Sequence, residues 1–202
     1  MAIEINKYNL SDIEILSNKN SSTSFYVWIP DKTYLILGRS NNLESSLIQD
    51  RLKKDSIKVF KRPSGGETVV LTPKTLVISA VIISVELKNT RKYFRVFNQK
   101  IIEVLEKQGI DNLTHEGISD IALNNKKVLG SAIYKTKSKL FYHSVLNVSE
   151  SVSTIEKYIK HPGREPDYRN GRKHSEFVTS LYAEGFKKSI VEFKNSLKKV
   201  VF

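Results

Sequence analysis

The sequence contains one long run of apolar and β-branched residues, TLVISAVIISVEL, from Thr75 to Leu87. Val, Ile and Thr side chains are stiff at χ1 and pack well on a pleated sheet, which favours a strand over a helix. The run is too short to cross a bilayer as a helix, which needs about 20 apolar residues. It therefore predicts a strand buried inside a folded domain, and the other segments of the chain have to cover it.

The rest of the chain mixes helical and strand-like patterns. The clearest helix is predicted from Arg91 to Gln108, because apolar residues recur there every three or four positions and Gly109 follows as a C-cap. Shorter helices are predicted at 12–16, 42–55 and 153–160 and in the tail from Ala183. Strands are predicted at 24–30, 33–38, 57–63, 120–123, 127–134 and 139–148. Since strands and helices do not alternate regularly, the pattern indicates an α+β fold in a single domain, residues 1–202.

Composition narrows the class of protein. There is no cysteine, which excludes a thiol nucleophile, a cysteine-ligated metal and disulfides. The net charge of +12 favours an anionic partner or reflects a lysine-rich surface, and charge alone does not decide between them. The first residues lack a signal-peptide pattern, so we expect a cytoplasmic protein. We find no motif for nucleic acid and expect neither a nucleic-acid nor a membrane partner.

Two segments carry candidate chemistry. In KRPSGGETVVL, Lys61 to Leu71, two glycines lie between strand-like segments behind an arginine. Such a loop is either a tight turn or a backbone cradle for an anion, with Arg62 as a planar donor. In SDIALNNKKVLGSA, a hairpin can bring the Asp120 carboxylate near the Lys127 ammonium. Small residues at 130–132 indicate close approach of a ligand or another backbone.

Together these segments resemble the lipoate–protein ligase family. Four stretches follow in its order: WIPDKTYLILGRSNN, RLKKDSIKVFKRPSGGETVV, SDIALNNKKVLGSA and LFYHSVL. They are similar to a strand ending in Gly-Arg, an Arg-x-Ser/Thr-Gly-Gly-Gly loop, an Asn-Asp pair followed by Lys-Val-x-Gly-Ser-Ala, and a Phe-x-His strand. The later stretch HPGREPDYRNGRKHSEFVTSL resembles the short members of the family. The likeness runs from about Trp28 to Leu181.

The resemblance implies a biotin/lipoate ligase-like catalytic domain, with mixed, mostly antiparallel sheets flanked by helices and no C-terminal accessory domain. It implies activation of lipoate by ATP to lipoyl-adenylate and transfer of the acyl group to a lysine of a carrier domain. Lys127 matches the family's catalytic lysine, and Asp120 is also an expected Mg²⁺ contact. The matching ATP- and lipoyl-adenylate-binding residues are Gly38, Arg39, Arg62, Ser64, Gly65, Gly66, Asp120, Gly130, Ser131, Ala132 and His143.

The implied partner is an acidic lipoyl carrier domain, of a 2-oxoacid dehydrogenase subunit or a glycine cleavage H-type protein. A separate accessory subunit is a further possible partner. The basic loop from Lys160 to Lys173 is either a solvated surface loop or a mobile loop that closes on the adenylate or docks the carrier.

The chain departs from the family pattern at three positions. Glu67 stands at the third glycine of the loop, Thr72 replaces a histidine, and Ser119 replaces the asparagine before Asp120. A carboxylate beside phosphates is unfavourable unless it binds a cation or faces away. Two alternatives to the ligase therefore stay open: a cysteine-independent octanoyl or lipoyl transferase between carrier proteins, and a catalytically silent homologue that binds a partner.

Overall fold

A computed structural model describes residues 3–17, 24–83 and 89–199. The helices are α1 Ile13–Ser17, α2 Leu43–Ser46, α3 Gln49–Lys54, α4 Arg91–Glu106, α5 Val152–Tyr158, α6 His174–Phe177 and α7 Ile190–Leu197. The strands are β1 Ile5–Lys7, β2 Ser24–Trp28, β3 Tyr34–Leu37, β4 Lys58–Lys61, β5 Val69–Leu71, β6 Thr75–Ile83, β7 Leu113–Glu116, β8 Asp120–Leu123, β9 Lys126–Lys135 and β10 Lys139–Asn147. The fold is α+β, as the sequence predicted.

The strands form two sheets. The larger has six strands in the order β2-β6-β10-β9-β8-β7, and all of its neighbours are antiparallel. The smaller has the order β1-β4-β3-β5, with β4 parallel to both β1 and β3 and β5 antiparallel to β3. The apolar run predicted as a buried strand is β6, between β2 and β10 in the larger sheet. Its predicted continuation, residues 84–87, lies outside the described residues.

Each sheet buries one face under helices. Alternation along a strand sends successive side chains to opposite faces. One face of the larger sheet packs under α4 and α7, whose inward side chains include Phe97, Ile101, Leu105, Phe193 and Leu197. The outer face of the smaller sheet packs under α2, α3 and α5 through Leu47, Leu52 and Tyr158. The remaining two faces turn toward each other, and this arrangement creates the space for a site.

Two local predictions were wrong. The segment 42–55 was predicted as one helix, but it breaks into α2 and α3 because Leu47 leaves the helix and pairs as an isolated bridge with Ile159. The helix predicted in the tail from Ala183 begins only at Ile190. The strands predicted on either side of Pro30 and Asp31 are both present, and β2 joins the larger sheet while β3 joins the smaller one.

None of the helices in the described ranges has the length and apolar character that a membrane span requires.

Candidate active site

A cleft of about 1260 Å³ lies between the two sheets. Its apolar part is lined from the smaller sheet by Ile36, Val69 and Leu71 and from the larger one by Val77, Ala132 and Val145. The loop 160–169 and the β8–β9 hairpin line its polar part, which includes Asp120, Lys127 and Tyr168. The cleft thus offers an apolar channel that ends at charged groups, a shape that suits an amphipathic acid.

A β-bulge in the β8–β9 hairpin decides which side chains face the cleft. Asp120 pairs with Gly130 and Ile121 with Leu129, but Ala122 pairs with Lys127, so Val128 is an extra residue. An extra residue shifts the alternation of side chains by one position. Lys127 and Gly130, three residues apart, therefore share a face with Asp120. In an unbroken strand they would point to opposite sides.

The predicted ion pair is present at this hairpin. Lys127 Nζ lies 2.9 Å from Asp120 Oδ1, and the two side chains are 31% and 6% exposed. A Cβ added at Gly130 would lie 2.7 Å from Lys127 Cε and 2.8 Å from Nζ, so the glycine makes room for the folded-back lysine. The buried carboxylate thus anchors an ammonium that still presents an open side to the cleft.

Tyr168 holds the other oxygen of this carboxylate. Its hydroxyl donates to Asp120 Oδ2 at 3.0 Å, and Ser119 Oγ donates to Oδ1 at 3.2 Å. Burial, and then the negative charge of Asp120, raise the pKa of Tyr168, so the phenol stays protonated and acts as a donor. Sequence analysis did not single out Tyr168, although it belongs to the PDYR segment of the family-like stretch.

The basic loop 160–173 is bound to the protein through its own arginines. Arg172 donates to the carbonyl oxygens of Asn125, Tyr168 and Arg169. Arg169 is buried and lies over the Phe177 ring, 4.8 Å from the ring centroid. Glu165 accepts from the Gly171 N–H at 2.7 Å and pairs with Arg169 at 3.3 Å. These contacts fix Tyr168 over Asp120 and account for several of the basic residues that the sequence left unassigned.

Arg62 holds the glycine loop after β4 in place through hydrogen bonds. This guanidinium is buried and donates to Ser64 Oγ and to the carbonyl oxygens of Ile36, Gly65 and Glu67, at 2.8 to 3.2 Å. Burial lowers the pKa of Arg62 to about 10, which leaves it charged at neutral pH. Four N–H groups of this guanidinium donate hydrogen bonds to the protein itself, so Arg62 stabilises the conformation of the loop.

The loop also packs tightly against the Gly-Arg turn after β3. A Cβ on Gly38 would lie 1.9 Å from the carbonyl oxygen of Gly66, a separation that only glycine permits. Gly66 itself has φ +86°, in the left-handed region that favours glycine. The Arg39 N–H donates to the Ser64 carbonyl at 2.9 Å, while its side chain is exposed. The two predicted motifs are therefore one structural unit.

His143 and Ser64 form a buried pair beside the cleft. Ser64 Oγ lies 2.5 Å from His143 Nε2, and it also accepts from Arg62 Nε at 3.0 Å. Burial, and then the charge of Arg62, lower the pKa of His143 to about 3. Such an imidazole is a weak base, and Ser64 is only 1% exposed. The pair joins the loop to β10 and does not have the features of an activated serine nucleophile.

Because the pKa of His143 is lowered, we expect the free energy of unfolding to decrease in acid. Because its pKa in the fold is about 3 and its ordinary value is 6.5, protonation favours the unfolded chain, and the stability present above pH 6.5 is lost as the pH falls. We expect His143 to account for about 2 kcal/mol of lost unfolding free energy between pH 7 and pH 5. Urea unfolding at several pH values, for the wild type and His143→Gln, measures the difference. Equal slopes in the two proteins would contradict the assignment.

The three departures from the family pattern have distinct structural roles. Glu67 is half-buried and lines the cleft, and its carboxylate accepts a long hydrogen bond of 3.4 Å from Asn41. Thr72 closes the turn between β5 and β6 through bonds with Thr75 and Lys74. The Ser119 carbonyl accepts from the hydroxyl of Ser131 at 2.6 Å. Of these changes, Glu67 alters the electrostatics of the cleft, the Ser119 side chain contacts the Asp120 carboxylate, and Thr72 serves a local turn.

The structure brings most of the predicted site residues to one cleft. Arg62, Gly66, Asp120, Lys127, Gly130, Ser131, Ala132 and His143 line it. Gly38, Arg39, Ser64 and Gly65 are not among its described lining residues; they belong to the glycine loop and to the Gly-Arg turn that packs against it. Sequence reasoning missed a buried group at the apolar end, in which Asp12 accepts from Tyr8 and Ser79. The signal for it was weak: Ser79 is one of two serines inside the apolar run.

The donor set at Asp120 fits a magnesium ion poorly. Magnesium needs carboxylate oxygens with open coordination positions. Here Lys127, Ser119 and Tyr168 already occupy the oxygens of Asp120. In the described part of the chain, no three His, Asp or Glu side chains converge as metal ligands. The expected contact of Asp120 with Mg²⁺ stays a prediction that this conformation does not favour.

The curated proteins that are similar in sequence to this chain include lipoate–protein ligases and octanoyltransferases. Among curated relatives, lipoate–protein ligase 1 of Staphylococcus aureus is 24% identical over 93% of this chain, and an octanoyltransferase of Prochlorococcus marinus is 32% identical over 59% of it. The chain spans 57% of the length of the first and 54% of the second.

Solved structures share the fold at low sequence identity. A bipartite lipoate protein ligase from Thermoplasma acidophilum, described with its E2 lipoyl domain, superposes with a TM-score of 0.80 at 20% identity over 98% of this chain and 82% of its own. Lipoate-protein ligase A bound with ATP gives 0.77 at 20% identity, over 98% and 83% of the two chains. The family model of the lipoyl protein ligase A/B catalytic domain matches residues 5–202. The chain therefore belongs to this family of ligases and acyltransferases.

Proposed function

We propose that the chain is the catalytic domain of a lipoate–protein ligase. In the first step a carboxylate oxygen of lipoate attacks the α-phosphorus of ATP, and pyrophosphate leaves. In the second step the amine of a carrier lysine attacks the acyl carbon, and AMP leaves. We take residues 1–202 as one catalytic domain in this scheme, supported by the extent of the family match.

One observation carries the proposal: the Lys127 ammonium lies where the apolar part of the cleft meets its polar part. Asp120 anchors it at 2.9 Å, and the missing side chain of Gly130 makes room for it. A fixed positive charge stabilises negative charge that develops as the mixed anhydride forms. Because it is already in place, the group loses little energy to reorganisation during the reaction.

The apolar part of the cleft supports an acyl substrate. Ile36, Leu71, Val77 and Val145 form its walls from both sheets. A solved neighbour bound with ATP and another described with bound lipoic acid share the fold of this chain. ATP and lipoate are therefore the substrates we propose, and we assign no residue of this chain to a magnesium ion.

The partner we propose is an acidic lipoyl carrier domain of a 2-oxoacid dehydrogenase subunit or a glycine cleavage H-type protein. The net charge of +12 would steer such a domain to the protein by electrostatic attraction. The net charge supports an acidic partner but does not locate a docking surface, because it is counted over the whole chain. Association should therefore slow as the salt concentration rises.

An octanoyltransferase is the second candidate, supported by the Prochlorococcus relative. Acyl transfer between carriers through a covalent enzyme intermediate needs a nucleophile. The chain has no cysteine, and the Ser64–His143 pair is buried with a weakly basic imidazole. These features favour the ligase.

One experiment separates the candidates. The protein is mixed with a lipoyl domain and either lipoate, ATP and Mg²⁺ or an octanoylated carrier, and the lipoyl domain is weighed by mass spectrometry. A mass gain that requires ATP is expected. A gain only from the octanoylated carrier would replace the proposal with the transferase, and no gain from either donor would favour a silent homologue.

Glu67 gives a prediction about the nucleotide. Its carboxylate lines the cleft, and Arg62 binds its backbone carbonyl instead of its charge. Removing a negative charge a few ångströms from a triphosphate is worth about 1 kcal/mol in a partly solvated site, so Glu67→Gly should lower the KM for ATP about five- to tenfold. ATP–pyrophosphate exchange measures this value. Glu67→Gln is the control for charge alone and should give most of the gain, whereas a raised KM in both variants would show that the carboxylate helps to bind the nucleotide.

A further inference from the structure

The apolar end of the cleft is closed by a hydrogen-bonded group that the mechanism does not use. Tyr8, which follows β1, donates to Asp12 Oδ1 at 2.6 Å, and Ser79 of β6 donates to Asp12 Oδ2 at 2.6 Å. Asp12 is 0% exposed, and Tyr8 and Ser79 are 4% and 0% exposed. Two short hydrogen bonds to one buried carboxylate hold the phenol ring in a fixed position.

The Tyr8 ring faces the cleft from this anchor. Tyr8 lines the cleft together with Ile36, Leu71, Val77 and Val145, and it packs in one apolar cluster with Val77 and Leu71. Its ring also meets His143 edge-on, with 6.2 Å between the ring centroids. The ring therefore stands between the apolar walls of the two sheets, as a floor to the channel.

Strand register gives the distance from Ser79, which also binds the Asp12 anchor, to Gly130 beside Lys127. Gly130 is beside Lys127, Ala132 pairs with His143, and His143 pairs with Ser79. Ser79 is therefore two strands across and two residues along from Gly130. With a strand spacing of about 4.8 Å and a rise of about 3.3 Å per residue, their Cα atoms are about 12 Å apart. The residue that binds the anchor of Tyr8 and the glycine beside Lys127 are therefore about one medium-chain acyl length apart along the sheet.

We infer that Tyr8 is the residue that limits the length of acyl chain that the cleft accepts. This inference rests on the proposed function, since it assigns a specificity-determining residue to the same cleft. A longer chain has to displace a ring that Asp12 holds, so it leaves methylene groups outside the apolar channel.

The test measures binding without requiring catalysis. Trp28, the chain's one tryptophan, belongs to the same apolar cluster as Tyr8, so its fluorescence should report an acyl chain in the channel. Affinities are measured for hexanoate, octanoate, lipoate, decanoate and dodecanoate. For the wild type, affinity should rise to octanoate and lipoate and then fall.

Tyr8→Ala opens the floor and should reverse this order. Each newly buried methylene group contributes a factor of about four to affinity, so dodecanoate should gain at least about tenfold relative to octanoate. Tyr8→Phe is the matched control, because it keeps the ring and removes only the bond to Asp12, and its chain-length profile should lie between those of the wild type and Tyr8→Ala. Val77→Leu, which fills space beside Tyr8 without removing a buried contact, should shift preference toward hexanoate.

Two outcomes would overturn the inference. One is a wild type that binds dodecanoate as tightly as octanoate. The other is an unchanged profile in folded Tyr8→Ala or, if that variant does not fold, in Val77→Leu. The proposed function fails separately: a wild type that binds medium-chain acids with this profile but forms no adenylate would refute the ligase and leave the role of Tyr8 intact.

Discussion

Replacing Lys127 with methionine is expected to reduce acyl-adenylate formation by about 10²- to 10³-fold, the effect of removing one group that stabilises developing charge. Methionine keeps the length of the side chain and removes its charge. The ammonium lies at the junction of the two parts of the cleft, anchored at 2.9 Å by a buried carboxylate. Lipoate-dependent ATP–pyrophosphate exchange measures the loss.

The controls separate chemistry from stability. In Lys127→Met the Asp120 carboxylate is left buried without its cation, which by itself destabilises the fold. The double variant with Asp120→Asn removes that stranded charge, so it should recover stability but not activity. Lys157→Met removes an ion pair of 2.6 Å with Asp55, outside the described lining of the cleft, and should keep full activity. Near-normal exchange in a folded Lys127→Met protein would refute the assignment.

Gly130→Ala is expected to lower the rate of adenylate formation about 10- to 100-fold, although it removes no chemical group. The added Cβ would lie 2.7 Å from Lys127 Cε and 2.8 Å from Nζ. The end of a lysine side chain can move, so the fold should tolerate the change, but the ammonium must leave its position. A displacement of about 1 Å can change the rate by about 10².

A graded series makes this prediction specific. Gly130→Val should lose more activity than Gly130→Ala, because the larger side chain takes more of the space that Lys127 uses. Thermal unfolding of both variants shows whether the fold is intact. If activity falls only as far as stability does, the glycine serves packing and does not position the lysine.

The hairpin that carries Asp120 and Lys127 shows which features of the site could be predicted from the sequence and which could not. Asp120 and Lys127 were expected near each other across a hairpin, and the structure confirms the hairpin and the ion pair. The bulge at Val128 had no visible signal, since no residue type requires it there. Yet the bulge is what places Lys127 and Gly130 on one face. Hydrogen-bond register across the strands decides this, and a hydrophobic pattern along one strand does not record it.

Arg62 shows the same limit for a charged residue. From the sequence it is a candidate donor to a phosphate or carboxylate. In the fold, four of its donors bind Ser64 and the carbonyls of Ile36, Gly65 and Glu67. A buried guanidinium must satisfy its donors with whatever acceptors surround it. Which acceptors are near is a property of the assembled loop, so residue type alone could not decide the role.

The sequence by itself determined the α+β class, the long buried strand β6, the helix α4 and the order of the polar motifs. It could do so because periodicity, turn residues and β-branched side chains act locally. Tertiary structure decided that β2 and β3 part into different sheets, that loop 160–173 fixes Tyr168 over Asp120, and that Tyr8, Asp12 and Ser79 close the cleft. These features join residues far apart in the chain, and buried polar groups such as Asp12 and Asp120 find there the hydrogen-bond partners that only the folded chain supplies.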